Sequence, residues 1–243
     1  MIYKARKGQA SYGEAIGVLL LDTFTPYIPG DVANASTYPF PVRFKKVENY
    51  TSERALSKDP TVFQSLLEAA LELVGQGVRA ITGDCGYMAI HQEELADQLE
   101  VPVFLTSLLQ VPFISRIIGR KGKIGIICAD SRQLDDAVLN KAGVDSTIAI
   151  KIRGFEKMEN CSKTFAQQIG SLDSQKIQGE IVSLAREMTE QDPSVRAILL
   201  ECSCLPPYGA AIQEAVGLPV FDYITMIKYV FSAVVKKRFE GFM

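Results

Sequence analysis

Cys85 and Cys202 are the residues of this 243-residue chain whose placement suggests chemistry. Cys85 follows Val78-Arg79-Ala80-Ile81 and precedes Val101-Pro102-Val103-Phe104. Cys202 follows Val195-Arg196-Ala197-Ile198 and precedes Leu218-Pro219-Val220-Phe221. All these landmarks recur at one offset of 117 positions (202 − 85), the self-similarity of a duplicated architecture. A thiol just after a strand and just before a helix meets unpaired N–H groups and a positive dipole end. Such a place lowers its pKa from about 8.5 and favours the thiolate. The same N–H groups can hold a substrate carboxylate and the charge that grows on it during deprotonation. Two thiols facing one cleft could take a proton from one face of a carbon and return one to the other. A lone cysteine is more often an inert small hydrophobe; the equivalence of these two sets them apart. Cys128 lies within an apolar run and is expected in the core, and Cys161 is expected to be incidental. Cys204 is close enough to Cys202 to reach a cleft, but packing is the simpler role.

The elements that must position these thiols follow from the apolar pattern. Ile16 to Asp22 matches Ile124 to Asp130 at an offset of 108 (124 − 16). Both are short apolar runs ending in Asp, as in strands buried on both faces of a parallel sheet. Apolar spacing predicts a helix over Thr61 to Val74, stopped by Gly75 and Gly77. A strand over Val78 to Thr82 and a turn at Gly83 to Gly86 then open a helix to about Leu99. The second half gives a helix over Gln178 to Met188, a strand over Val195 to Glu201, and a helix over Pro206 to Val216. Pro207 is tolerated in that last helix's first turn. Such alternation predicts an α/β fold of two pseudo-symmetric lobes, each a mainly parallel sheet flanked by helices, with the active site in the cleft between them. The first lobe spans 1–115 and is joined by a C-terminal helix, 223–243; the second spans 116–222. The stretch 25–41, rich in Pro, Gly, Asp and Asn, is expected to be an ordered surface loop of functional length.

Bulk properties exclude several classes. Lys and Arg number 26 against 28 Asp and Glu, without a basic stripe, so no nucleic-acid partner is expected. Lys236-Lys237-Arg238 suits the solvated end of a helix. The longest early apolar run, Val18 to Leu21, is far short of the roughly 20 residues a bilayer needs, so no membrane partner is expected. The polar start and the absence of an apolar leader suggest a cytoplasmic protein with reduced thiols. The five cysteines have neither disulfide-framework nor zinc spacing. A single histidine, His91, excludes a histidine-rich metal site, and no phosphate-binding glycine pattern occurs. Arg43 is a candidate clamp for a carboxylate, though a surface role is simpler, and Glu156 is a candidate to approach Cys202.

The segments Thr82-Gly83-Asp84-Cys85-Gly86-Tyr87 and Leu200-Glu201-Cys202-Ser203-Cys204-Leu205-Pro206-Pro207-Tyr208 resemble the two signature segments of the aspartate/glutamate/hydantoin racemase superfamily. The resemblance extends over essentially the whole chain, including Gly17 to Asp22 and Pro29-Gly30-Asp31. It implies cofactor-independent 1,1-proton transfer with Cys85 and Cys202 as the two bases, no metal, and a small carboxylate as substrate. It also implies Asp22, Gly86, Tyr87, Thr106, Ser107 and Ser203 as substrate-binding residues, and a homodimer. Gly86-Tyr87 stands where glutamate racemases carry Asn-Thr, and Ser203-Cys204 where they carry Thr-His, which removes usual partners of the amino acid. The expected activity is thus an isomerase: a racemase or epimerase on aspartate or glutamate. The alternatives on this scaffold are hydantoin racemase, maleate isomerase or arylmalonate decarboxylase chemistry. A small-molecule binding protein is the non-enzymatic alternative.

Overall fold

The two apolar runs become the central strands of two sheets built on one plan. The computed structural model describes residues 2–119 and 121–243. In the first sheet β1 (Ile16–Leu20) pairs in parallel with β2 (Val42–Lys46) and β3 (Ala80–Gly83), and β4 (Val103–Phe104) flanks β3. In the second, β5 (Lys123–Cys128) pairs in parallel with β6 (Ile150–Gly154) and β7 (Val195–Leu200), and β8 (Val220–Phe221) flanks β7. The orders, β2-β1-β3-β4 and β6-β5-β7-β8, are the same order written twice. β1 and β5 are nearly continuous apolar runs because helices cover both of their faces, whereas the edge strands β2 and β6 are half-buried and carry Lys and Arg.

The helices follow the apolar spacing with shifted ends. Helix Phe63–Gly75 buries Leu66, Ala69, Ala70 and Leu73 on one face. The residues before it form a separate 3-10 turn, Pro60–Val62, opened by an Asp59 cap. Helix Ser174–Gln191 starts four residues before Gln178, because the Asp173 carboxylate caps it by accepting from the Lys176 N–H. Helix Tyr223–Val234 begins on a reciprocal Asp222–Thr225 capping box. It lays Tyr223, Ile224, Met226 and Ile227 against Ile16, Val18, Ala80 and Phe104 of the first sheet.

Buried side chains of the two sheets meet in one continuous cluster that joins Leu19, Ile81 and Leu105 to Ile124, Ile126 and Leu199. The stretch 25–41 is more than a surface loop. Asp31 and Val32 are buried, and Val32 N–H donates to the Ser203 carbonyl (3.4 Å). Gly30, at φ +102°, presses against Pro207 so closely that a Cβ would lie 2.9 Å from its Cα. This first-half segment is therefore strapped over the turn that carries Cys202. No helix among the described residues is long and apolar enough to cross a membrane.

Candidate active site

The carboxyl ends of β3 and β7 open onto one cavity of about 280 Å³, and both Cys85 and Cys202 line it. This is where open α/β sheets bind ligands, beyond the strand ends. Cys85 sits in extended conformation (φ −149°) before a 3-10 turn, Gly86–His91, and an α-helix starts only at Gln92. On the other side a 3-10 turn, Pro206–Tyr208, separates Cys202 from the helix Gly209–Val216. Neither thiol thus caps an α-helix directly, which weakens the dipole expected to favour a thiolate.

Burial and the acids beside Cys85 push its thiol the other way. Its pKa is raised well above the ordinary value, first by burial, then by the charges of Glu201 and Asp84; the Tyr87 N–H acts weakly in the opposite sense. Asp84 and Glu201 immediately precede the two cysteines and occupy equivalent repeat positions. Both are buried, and burial raises each carboxyl to about 8. Their partners differ. The Leu21 N–H donates to both oxygens of Asp84 (3.0 and 3.2 Å). The equivalent N–H, on Ala129, faces Glu201 without closing a hydrogen bond, and neither Glu201 oxygen has a partner among the described residues. The extra methylene carries the Glu201 carboxyl across the lobe boundary onto Gly86, where any Cβ would collide with it. Gly86 is the residue that makes room for this carboxyl.

A second polar chain runs along the strap. Asp31 accepts from the Ala33 N–H (2.8 Å), and burial raises it to about 7 beside the Cys204 thiol. Cys204 is in turn pushed up by its contact with Cys202 and by burial. The Tyr27 hydroxyl, paired with Thr23, completes this wall. Across the cavity Ser162, Phe165 and Ala166 sit on a single π-helical turn, Ser162–Ala166.

Of the residues singled out in the sequence, Cys85, Cys202, Gly86, Tyr87 and Ser203 line the cavity. The Tyr87 hydroxyl donates to the Asp130 carbonyl (2.7 Å), and the Ser203 hydroxyl donates to the Asp84 carbonyl, so both fasten one lobe to the other. Asp22, Thr106 and Ser107 lie outside the lining. Asp22 is half-exposed and pairs with Lys46 (3.3 Å). Thr106 caps the turn Ser107–Gln110, and the Ser107 hydroxyl donates to the Leu200 carbonyl (3.0 Å). Glu156 lines the cavity, where it accepts from the Ser131 hydroxyl (2.7 Å). Arg43 is bound away from it, to Glu14 (3.2 Å) and Gln76 (2.6 Å). His91 is buried against Tyr50 and Phe63. Sequence reasoning missed Tyr27, Asp31 and Glu201 as site residues. The shared offset of Asp84 and Glu201 was the available signal for the last.

The fold resembles solved structures of several activities. Arylmalonate decarboxylase superposes with a TM-score of 0.61 at 16% identity, over 92% of this chain and 94% of that one. Allantoin racemase from Pseudomonas fluorescens gives 0.61 at 14% identity, over 94% and 99%. Glutamate racemase RacE1 from Bacillus anthracis gives 0.60 at 15% identity, over 92% and 85%. The chain has the fold of the aspartate/glutamate/hydantoin racemase superfamily. No family model matches the sequence. Sequence relatives carry another activity. A dimethylsulfoniopropionate lyase of Durusdinium sp. clade D is 33% identical over 217 residues, covering 86% of this chain and 71% of the relative. Dimethylsulfoniopropionate lyases 5 and 3 of Emiliania huxleyi are 28% and 30% identical over 90% and 87% of this chain, which spans only 45% and 57% of their lengths. The isomerase expectation, racemisation of aspartate or glutamate by two opposed bases, is therefore corrected: the named relatives are lyases. A shared scaffold hosts several reactions and does not fix which one occurs, and the missing Asn-Thr and Thr-His pairs already removed the amino-acid contacts. With 33% identity to the Durusdinium enzyme over 217 aligned residues, which span most of both chains, this chain belongs to the dimethylsulfoniopropionate lyase family.

Proposed function

We propose that this chain is a lyase that eliminates dimethyl sulfide from dimethylsulfoniopropionate and leaves acrylate. The observation that carries this reading is one cavity lined by two thiols, in which burial first, and then the charges of Glu201 and Asp84, raise Cys85 well above its ordinary value and favour its neutral thiol. Inverting a stereocentre needs two groups that exchange roles, whereas elimination needs one base. Cys202 is that base. Its thiolate takes a proton from the carbon next to the substrate carboxylate. The electrons of that C–H bond form the double bond, and the β-carbon–sulfur bond breaks with its electron pair leaving on dimethyl sulfide. The proton held by Cys202 then passes to water, so the products are acrylate, dimethyl sulfide and one proton. The neutral Cys85 S–H and the backbone N–H groups of Gly86 and Tyr87 face the substrate carboxylate, where charge grows as the proton leaves. Ser203 contributes by tying the Cys202 turn to Asp84.

The test is direct. The purified chain is incubated with dimethylsulfoniopropionate, dimethyl sulfide is followed in the headspace, and acrylate by NMR. Stoichiometric release of both above the uncatalysed rate is expected. Release no faster than in buffer, or with equal rates for the native chain and Cys202→Ser, would falsify the proposal.

A further inference from the structure

We propose that Glu201 is the counter-ion that seats the cationic sulfonium centre of the substrate, making it the residue that selects onium compounds over neutral ones. The inference rests on the lyase reading above and assigns the binding of the charged end. Its first support is an unexplained group: a fully buried carboxyl, lining the cavity, with neither oxygen hydrogen-bonded among the described residues. Buried carboxyls ordinarily have partners, and an orphan is costly unless something bound supplies one. The other acids of the cavity are already served: Asp84 by the Leu21 N–H, Glu156 by Ser131, and Asp130 by Arg132. Glu201 alone among them has both oxygens free.

Charge points the same way. Among the described residues Arg132 is the only lysine or arginine in the lining; its side chain is 74% exposed and committed to Asp130. No described cation in the lining therefore neutralises Glu201. A dicarboxylate or a neutral ligand would leave the carboxyl desolvated and unpaired, while a sulfonium supplies the missing charge. It cannot donate a hydrogen bond, so it suits a carboxyl on which no donor among the described residues closes one. A cation seated there also favours the ionised carboxylate over the protonated form that burial promotes. Tyr87, Phe155 and Phe165 line the same space and offer aromatic surface to the S-methyl groups. Position completes the argument. The carboxyl rests on Gly86, next to Cys85 in the chain, and lines the cavity both cysteines share, so a sulfonium held there leaves the carbon two bonds away within that space.

Two ligands that cannot react test this by calorimetry: trimethylammoniopropionate, which carries a permanent positive charge and a poor leaving group, and the isosteric carboxylate with an uncharged tert-butyl head in its place. The native chain is expected to bind the ammonium compound at least about tenfold more tightly than the isostere, a modest yield for a buried charge pair. In Glu201→Gln the ratio should fall to within about threefold, because the amide keeps the shape and loses the charge. Equal affinity of the native chain for both ligands, or an unchanged ratio in Glu201→Gln, overturns the proposal. Should Glu201→Gln not fold, the native comparison decides alone, supported by Glu201→Asp, whose shorter carboxylate should retain only part of the preference. Dimethyl sulfide release separates the two claims. Release without a charge preference sinks the role of Glu201 alone; a charge preference without release sinks the lyase reading and supports the counter-ion.

Discussion

Asp84 and Glu201 occupy the same place in two copies of one design, yet they do different things. In the first half the acid has a donor: its side chain stops short and accepts from the Leu21 N–H on both oxygens. In the second half one additional methylene carries the carboxyl over the lobe boundary and onto Gly86, and the Ala129 N–H that faces it closes no hydrogen bond. Duplication gave two equivalent thiols, and the longer acid broke their equivalence by placing a second carboxyl against Cys85. A racemase needs its two halves to act alike. On the lyase reading this cavity needs only one base and one neutral partner.

The largest expected effect tests that inequality at the thiols. Cys202→Ser should lower kcat for dimethyl sulfide release by about 10³-fold or more, the usual contribution of a general base. Cys85→Ser, which keeps a neutral donor, should lose only about tenfold. Equal losses would restore symmetry and end the comparison.

Next comes the pH dependence of stability. Asp84 and Glu201 rise from 3.8 and 4.5 to about 8 in the folded chain, and Asp31 from 3.8 to about 7. Acids with raised values bind more protons folded than unfolded, so their stabilisation is complete below the unfolded values and is lost as pH climbs through the folded ones. His91, lowered from 6.5 to about 4 by burial, acts in the opposite sense below pH 6.5. The cleanest window is therefore pH 6.5 to 8, where the unfolding free energy from urea titrations should fall by up to about 1.4 kcal/mol per pH unit for each acid still protonated. Glu201→Gln should flatten this slope; an unchanged slope would show that the carboxyl is not buried in solution.

A smaller contrast separates the two acids at fixed pH. Asp84→Ala should cost about 1–3 kcal/mol, since it strands the Leu21 N–H. Glu201→Leu should cost nothing or stabilise by about 1 kcal/mol, because no protein group loses a partner. Chemical denaturation of both, near pH 7, would expose a hidden partner of Glu201 if the two costs were alike. Smallest of all is Asp22→Asn. Its pair with Lys46 is half-exposed, so less than about 0.5 kcal/mol and no measurable change in dimethyl sulfide release are expected.

The repeat and the apolar runs made the architecture legible. Ile16 to Leu20 and Ile124 to Cys128 could only be strands covered on both faces, and the matching offsets brought Cys85 and Cys202 to equivalent strand ends. What sequence could not display was reach. Whether a carboxyl stops at its own backbone or crosses to a neighbour depends on a single methylene and on the bare Cα of Gly86. Asp31 was equally hidden, because its burial depends on Gly30 and Val32 docking against residues of the other half. The pull expected on the thiols assumed an α-helix starting at each cysteine; Gly86–His91 and Pro206–Tyr208 wind as 3-10 turns instead. Reaction class was beyond reach for another reason: proton abstraction next to a carboxylate is common to racemisation and elimination, and only the substrate's leaving group separates them.

The fastening between the halves has a mechanical consequence. Val32 N–H to the Ser203 carbonyl, Ser203 to Asp84, Tyr87 to Asp130, and Phe24 N–H to Gln168 (2.7 Å) stitch the rim from several sides. A jaw-like swing of one half against the other would have to break these stitches together, so widening the chamber costs several hydrogen bonds at once, whereas a side-chain excursion at the rim costs at most one.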